Sequence, residues 1–266
     1  MSVPPHESPE PGNPRLGGSG PGSPQPGSGH PGPFAPVPSA PGPPQGMPGR
    51  NVRRQPSTPV TYALIGACVI VWLLQLLTGD WIPRMFGFAA YWAASEPYTA
   101  LTTAFIHGGS MHIMFNMIGL YFFGTFLERY IGSAWFALLY LFSALGGSLA
   151  VFFLALADGS PQALVTVHIG ASGALFGLVG FVATPTRRLD RNLTGVLGFV
   201  AINAVLIWLV PNISWQAHLG GFLTGFVFGC VYFFTPQRLR ALGLLILTVV
   251  VAAVGFAALV LVPVTV

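Results

Sequence analysis

Charge is what this chain lacks. Of 266 residues only 7% are charged, and lysine is absent, so all eleven basic residues are arginines. A soluble domain carries roughly 25% charged residues. With 53% hydrophobic residues and a mean hydropathy of +0.68, the composition excludes a water-soluble globular protein and indicates an integral membrane one. Cysteine is also scarce. Cys68 and Cys230 both lie inside apolar runs, which excludes a disulfide framework and a cysteine zinc site and leaves buried, inert thiols. The net charge of +4 implies no nucleic-acid partner, because the arginines sit between apolar runs rather than in one patch. No His-Glu-x-x-His pair is present, which argues against a zinc protease helix, and the four histidines His107, His112, His168 and His218 lack the tight ligand spacing or carboxylate of a catalytic zinc site. Residue 174 is Ala and no strand pattern precedes it, so the Gly-x-Ser-x-Gly elbow of soluble hydrolases is missing too. Intramembrane charges and broken helices, the marks of a transporter, are not evident.

What remains is organised in three parts. Residues 1–58 are roughly half Pro and Gly without apolar periodicity, the composition of a disordered tail, and hold no apolar segment of a signal peptide. His6 and His30 fall there and receive no role. From residue 59 the chain reads as seven helical spans, at 59–79, 112–131, 134–157, 169–185, 193–210, 216–235 and 239–262, each near the ~20 residues needed to cross a bilayer. The segment 80–111 between the first two is too broken to span and too aromatic to be solvated. An outer loop lying in the interface, with short amphipathic pieces, is expected. The expected fold is therefore an all-α membrane protein, with a core at 59–235 and one further helix in 236–266.

Orientation follows from the arginines. Arg15, Arg50, Arg53, Arg54, Arg129, Arg187, Arg188, Arg191, Arg238 and Arg240 fall on one side of this topology, and only Arg84 falls on the other. The positive-inside rule puts the tail in the cytoplasm and the 80–111 loop outside. The second, fourth and sixth spans then all run inward, and their outer ends carry His112, Ser172 and His218. Three reactive side chains converge on the outer layer of the membrane.

Polar residues held inside a bundle are functional suspects. Ser172, in Gly170-Ala171-Ser172-Gly173, can be a nucleophile or a structural serine bonding a neighbouring carbonyl. His218, in Ala217-His218-Leu219-Gly220-Gly221, can be a neutral base or a histidine satisfied between helices. Small-residue faces at Gly173, Gly177 and Gly180, and at Gly221, Gly225 and Gly229, allow the two helices to approach closely. His112 and Asn116 lie one turn apart on one helix face, and either supply donors to an oxyanion or form a polar seam. Every acid lies in the tail, in a loop or at a span end, so no triad acid is available to His218 and a dyad is expected.

Gly-Ala-Ser-Gly at 170–173, Ala-His-Leu-Gly-Gly at 217–221 and His-x-x-x-Asn at 112–116, in this order in a polytopic chain, resemble the rhomboid intramembrane serine proteases. Glu128-Arg129 fits as well, and the resemblance covers roughly 59–235. It implies a six-helix core plus one helix, with Ser172 as nucleophile and His218 as general base and then acid. His112, Asn116 and the Ser172 backbone N–H would form the oxyanion hole. Gly170, Gly173, Phe176 and Gly221 are supporting residues, Phe176 standing where the family often stacks an aromatic ring on the catalytic histidine. The implied substrate is a single-span membrane protein in the lipid bilayer, cut near its outer end, with the fifth span and residues 211–215 as side gate and lid. No cofactor or metal is implied, and the expected location is the plasma membrane. The family often shows Trp-Arg about thirteen residues before the histidine of the second span. Tyr98-Thr99 stand there instead, a departure that bears on the internal bonding of the outer loop. His107 and His168 stay unassigned, with a structural role expected of both. The competing reading is a rhomboid-like protein that binds membrane segments without cutting them. Such proteins usually lack the Ser or the His, and both are present here.

Overall fold

Pro59 opens the first membrane helix, Pro59–Thr78, at a position where its missing N–H is no loss. The next N–H groups are met from another span. Val60 and Thr61 donate their backbone N–H to the Glu128 carboxylate at 3.0 and 2.7 Å, and Thr61 Oγ1 donates to it at 2.7 Å. Ser133 Oγ donates to the same carboxylate at 2.6 Å. Glu128 is 2% exposed. Its negative charge sits at the positive end of the first helix, and one side chain joins the first three spans.

The computed structural model describes residues 57–186, 195, 198, 201–202 and 213–261. Apart from one isolated backbone bridge, the described residues form only helices, turns and loops. Among the described residues, five helices are long and apolar enough to cross a bilayer: Pro59–Thr78, Ser110–Ile131, Ser133–Asp158, Trp215–Phe234 and Gln237–Ala257. They match the spans expected at 59–79, 112–131, 134–157, 216–235 and 239–262. The expected span at 193–210 lies outside the described residues, save for Gly195, Gly198, Ala201 and Ile202, as does the tail up to residue 56.

The span expected at 169–185 is corrected. Its helix is only Ser172–Ala183, 12 residues. At ~1.5 Å per residue that is about 18 Å, well short of the ~30 Å hydrocarbon core. The preceding residues are drawn into the outer loop instead. His168 and Phe88 exchange backbone hydrogen bonds at 2.7 and 3.1 Å, and the Gly170 N–H donates to the Thr103 carbonyl at 3.0 Å. Gly170 has φ +130°, which takes it out of helical conformation.

This short helix is the centre of the bundle. Every residue from Gly173 to Val182 is buried. Glycines permit the close approach on both sides. A Cβ on Gly177 would strike the Ser143 side chain, one on Gly221 the carbonyl of Gly173, and one on Gly220 the carbonyl of Gly146. Helices Ser133–Asp158, Ser172–Ala183 and Trp215–Phe234 thus meet backbone to backbone, the small-residue packing that holds helices together in lipid.

The outer loop is built, not loose. It contains helices Trp81–Phe86 and Thr99–Thr102 and 3-10 turns at Ala90–Trp92 and Thr103–Phe105. Tyr98 Oη donates to the Met85 carbonyl at 3.0 Å, and its ring meets Phe86 edge-on at 6.0 Å. Thr99 Oγ1 donates to the Glu96 carbonyl at 2.6 Å. Tyr98-Thr99 therefore bond the loop internally with the residues that stand in place of Trp-Arg. Ser148 Oγ ties the loop to the third span through the Ala100 carbonyl at 2.8 Å.

Candidate active site

Ser172 is the first residue of its helix, where the backbone N–H groups have no intrahelical partner. Phe176 is one turn further along the same face. The ring of His218, on Trp215–Phe234, stacks on Phe176 with centroids 4.2 Å apart and planes inclined by 8°. The helices cross at Gly173, where a Cβ would lie 3.3 Å from the Ala217 carbonyl oxygen. His218 is therefore held against the serine helix one turn from Ser172. It is 5% exposed, and neither ring nitrogen has a hydrogen-bond partner. The imidazole is not hydrogen-bonded to the Ser172 hydroxyl.

His112 approaches from the second span. A Cβ added to Gly170 would lie 2.8 Å from His112 Nε2 and 3.5 Å from Ser172 Oγ, so the histidine edge and the serine hydroxyl converge on this glycine. Any side chain would fill the space between them, and the positive φ disfavours one independently. The Gly108 N–H donates to His112 Nδ1 at 3.2 Å. That bond makes Nδ1 an acceptor, so in the neutral ring Nε2 carries the hydrogen. Asn116 is buried. Its Nδ2 donates to the His112 carbonyl at 2.8 Å, which leaves one N–H of the amide, and its Oδ1 has no partner.

Beside Ser172 lies a small cavity of ≈ 20 Å³, polar where Thr103, His168, Ser172 and Ser214 line it. It is about the size that holds one water.

Two features were not foreseen from the residues. His168 Nδ1 lies 2.8 Å from Ser214 Oγ, which also accepts the Ala217 N–H at 3.3 Å as the N-cap of the His218 helix. The one sequence signal was a Ser three residues before Ala217, a standard cap spacing. His107 is 2% exposed with both ring nitrogens unpartnered, and its ring meets His112 edge-on at 5.2 Å. Burial, and next the charge of His112, push its pKa down to about 3. Its backbone pairs with the Gln75 side chain, N–H to Oε1 at 3.1 Å and carbonyl to Nε2 at 2.9 Å.

Comparison with known proteins gives relatives of one kind. The chain is 33% identical over 150 residues to RHOMBOID-like protein 1 of Arabidopsis thaliana, covering 53% of this chain and 36% of that protein. It is 28% identical over 184 residues to the putative rhomboid protease YdcA of Bacillus subtilis, covering 65% and 89%. It is 34% identical over 139 residues to the rhomboid protease GluP of the same organism, covering 50% and 26%. The chain thus spans only about a third of the plant relative. The rhomboid domain matches residues 94–235, just over half of the chain. That stretch runs from the outer loop through the helices bearing His112, Ser172 and His218, and on this match the chain belongs to the rhomboid family.

Proposed function

We propose that this protein is an intramembrane serine endopeptidase that hydrolyses a peptide bond in or beside the transmembrane segment of single-span membrane proteins. The observation that carries the reading is the parallel stack of His218 on Phe176, one turn from Ser172 on the same short helix.

The chemistry is a dyad. Ser172 Oγ attacks the scissile carbonyl carbon while the His218 imidazole takes the hydroxyl proton. The tetrahedral intermediate collapses, the imidazolium gives its proton to the leaving amine, and an acyl-serine ester remains. Water then attacks the ester, again with His218 as base, and the proton returns to Ser172. The gap between hydroxyl and imidazole in the substrate-free protein is consistent with this, since catalytic hydrogen bonds often tighten only around substrate. The oxyanion would be met by the His112 Nε2–H, the remaining Asn116 N–H and the Ser172 backbone N–H. Such donors are worth about 3–4 kcal/mol each where water is excluded. No acid has a place in this scheme. The buried Glu128 is fully engaged with the first turn of the first helix and Ser133.

Residues 59–235 form the catalytic core in this reading, with 1–58 as a tail and 236–266 as an added helix. The arginine distribution supports a cytoplasmic N-terminus and an active site opening to the extracytoplasmic side, in a protein we assign to the plasma membrane. An impermeant thiol reagent should label Glu96→Cys on intact cells and Arg15→Cys only after lysis, and the reverse pattern overturns this orientation.

The decisive experiment reconstitutes the protein with a helical single-span substrate and compares it with Ser172→Ala and His218→Ala. Both variants should fall to background. Cleavage by both at the parent rate overturns the dyad. A folded parent that binds the substrate but never cuts it supports the non-cleaving alternative.

A further inference from the structure

Each member of the dyad is preceded in the chain by a residue of a second pair. His168 lies four residues before Ser172, and Ser214 four before His218. The two side chains meet, with His168 Nδ1 2.8 Å from Ser214 Oγ. Both ends of this bond are anchored. Ser214 starts the His218 helix, its Oγ accepting the Ala217 N–H at 3.3 Å. His168 is pinned to the outer loop by backbone bonds to Phe88 at 2.7 and 3.1 Å, and its carbonyl also accepts from Thr103 Oγ1. The imidazole is a strut between the outer loop and the start of the histidine helix.

The strut answers a mechanical need. The serine and histidine helices pack backbone to backbone from Gly173 against Ala217 and Gly221 to Gly180 against Phe222 and Phe226, and Ser172 and His218 lie at one end of this seam. The seam fixes how the two rods pack, but the histidine helix starts beyond it, at Ser214 and Trp215. The hydroxyl-to-imidazole distance must close to about 2.6–3.2 Å, a tolerance that small shifts of this first turn exceed. A tie at Ser214, about one turn (~5.4 Å) before His218 on its helix, restrains that first turn.

We propose that His168 is a positioning residue. Through its hydrogen bond to Ser214 it holds the first turn of the helix of His218 in the place the dyad needs. The proposal rests on the dyad reading, and His168 itself touches no reacting atom.

The test uses the full chain in proteoliposomes with a helical single-span substrate. The rates of parent, His168→Phe, His168→Asn, Ser214→Ala, Ser214→Asp and the double variant His168→Phe/Ser214→Ala are normalised to folded protein. His168→Phe should lower kcat about ten- to hundredfold with KM unchanged, the signature of a misplaced catalytic group. His168→Asn, which can still bond Ser214, should recover most of the loss. The double variant should be no slower than Ser214→Ala alone. If His168→Phe does not fold, Ser214→Asp against Ser214→Ala gives the same reading, because Asp keeps both the cap and an acceptor for the ring. Parent kcat in His168→Phe with only a lowered melting temperature, or losses that multiply in the double variant, overturns the positioning role and leaves the dyad standing. A folded parent that cleaves nothing brings down the dyad reading instead.

Discussion

The imidazole of His218 lies flat on the ring of Phe176, 4.2 Å between centroids and 8° between planes. In place of an acid, a face of carbon holds the ring of the proposed base. A stacked ring restrains tilt, which matters for an imidazole whose two nitrogens have no hydrogen-bond partner to orient them. Aromatic pairs contribute about 0.5–1.5 kcal/mol beyond area burial. Phe176→Leu should therefore lower kcat by about two- to tenfold while leaving KM near the parent value. Phe176→Tyr keeps the ring and should keep the rate. Steady-state cleavage in proteoliposomes checks both, and a Leu variant as fast as the parent removes the stack from the mechanism.

The glycine faces make a sharper prediction about stability. A Cβ at Gly221 would press on the Gly173 backbone carbonyl, which cannot swing aside as a side chain can. Gly221→Ala should force the serine and histidine helices apart, cost about 1–3 kcal/mol, and abolish labelling of Ser172 by a fluorophosphonate. Gly66, on the first span, has nothing within 4 Å of its would-be Cβ. Gly66→Ala should be neutral or slightly stabilising. Thermal unfolding in detergent compares the pair, and equal effects from both would mean the close crossing carries no energetic weight.

Much of this was legible in the residues because membrane spans announce themselves by length and apolarity. Ser172 and His218 were found at matching ends of two apolar runs, and the structure puts their helices in contact. The start of the serine helix was not legible. Ile169 to Ala171 read as the first residues of the span, and only the pairing of the adjoining His168 with Phe88 and the backbone of Gly170, both set by tertiary contacts, keep them out of the helix. Glu128 was read as a carboxylate at a span end. Its partners Val60 and Thr61 are 68 and 67 residues away, and no local pattern encodes such a bond. The same holds for His168 and Ser214, 46 residues apart. Tyr98 shows the reverse case, where a departure from the family's usual residues is absorbed by a hydroxyl that finds the Met85 carbonyl.

Glu128 should be a stability residue without a catalytic part. Its two carboxylate oxygens accept four hydrogen bonds, from Val60 N, Thr61 N, Thr61 Oγ1 and Ser133 Oγ. Glu128→Gln keeps the shape but turns one acceptor into a donor that faces other donors. Hydrogen bonds to a charged group are worth about 1.5–3 kcal/mol, so the variant should unfold at distinctly lower temperature. Its cleavage rate per folded molecule should stay near that of the parent. A Gln variant as stable as the parent would show that the charge adds nothing over the shape.

His107 predicts how stability depends on pH. The residue lies in the outer loop, 2% exposed, with its pKa pushed from 6.5 to about 3 by burial and then by the neighbouring charge of His112. In the unfolded chain the same ring titrates near 6.5. Between these values the unfolded state binds a proton that the folded state refuses, so stability is intact above about pH 6.5 and falls as pH drops toward 3. The limiting slope is about 1.4 kcal/mol per pH unit for one proton. His168, lowered in the same direction by burial, adds to the trend. His107→Phe replaces the ring with one that cannot titrate and should flatten the loss between pH 6.5 and 4.5. Unfolding measured at pH 7.5, 5.5 and 4.5 in parent and variant decides the matter. An equal decline in both would assign the acid sensitivity to groups other than His107.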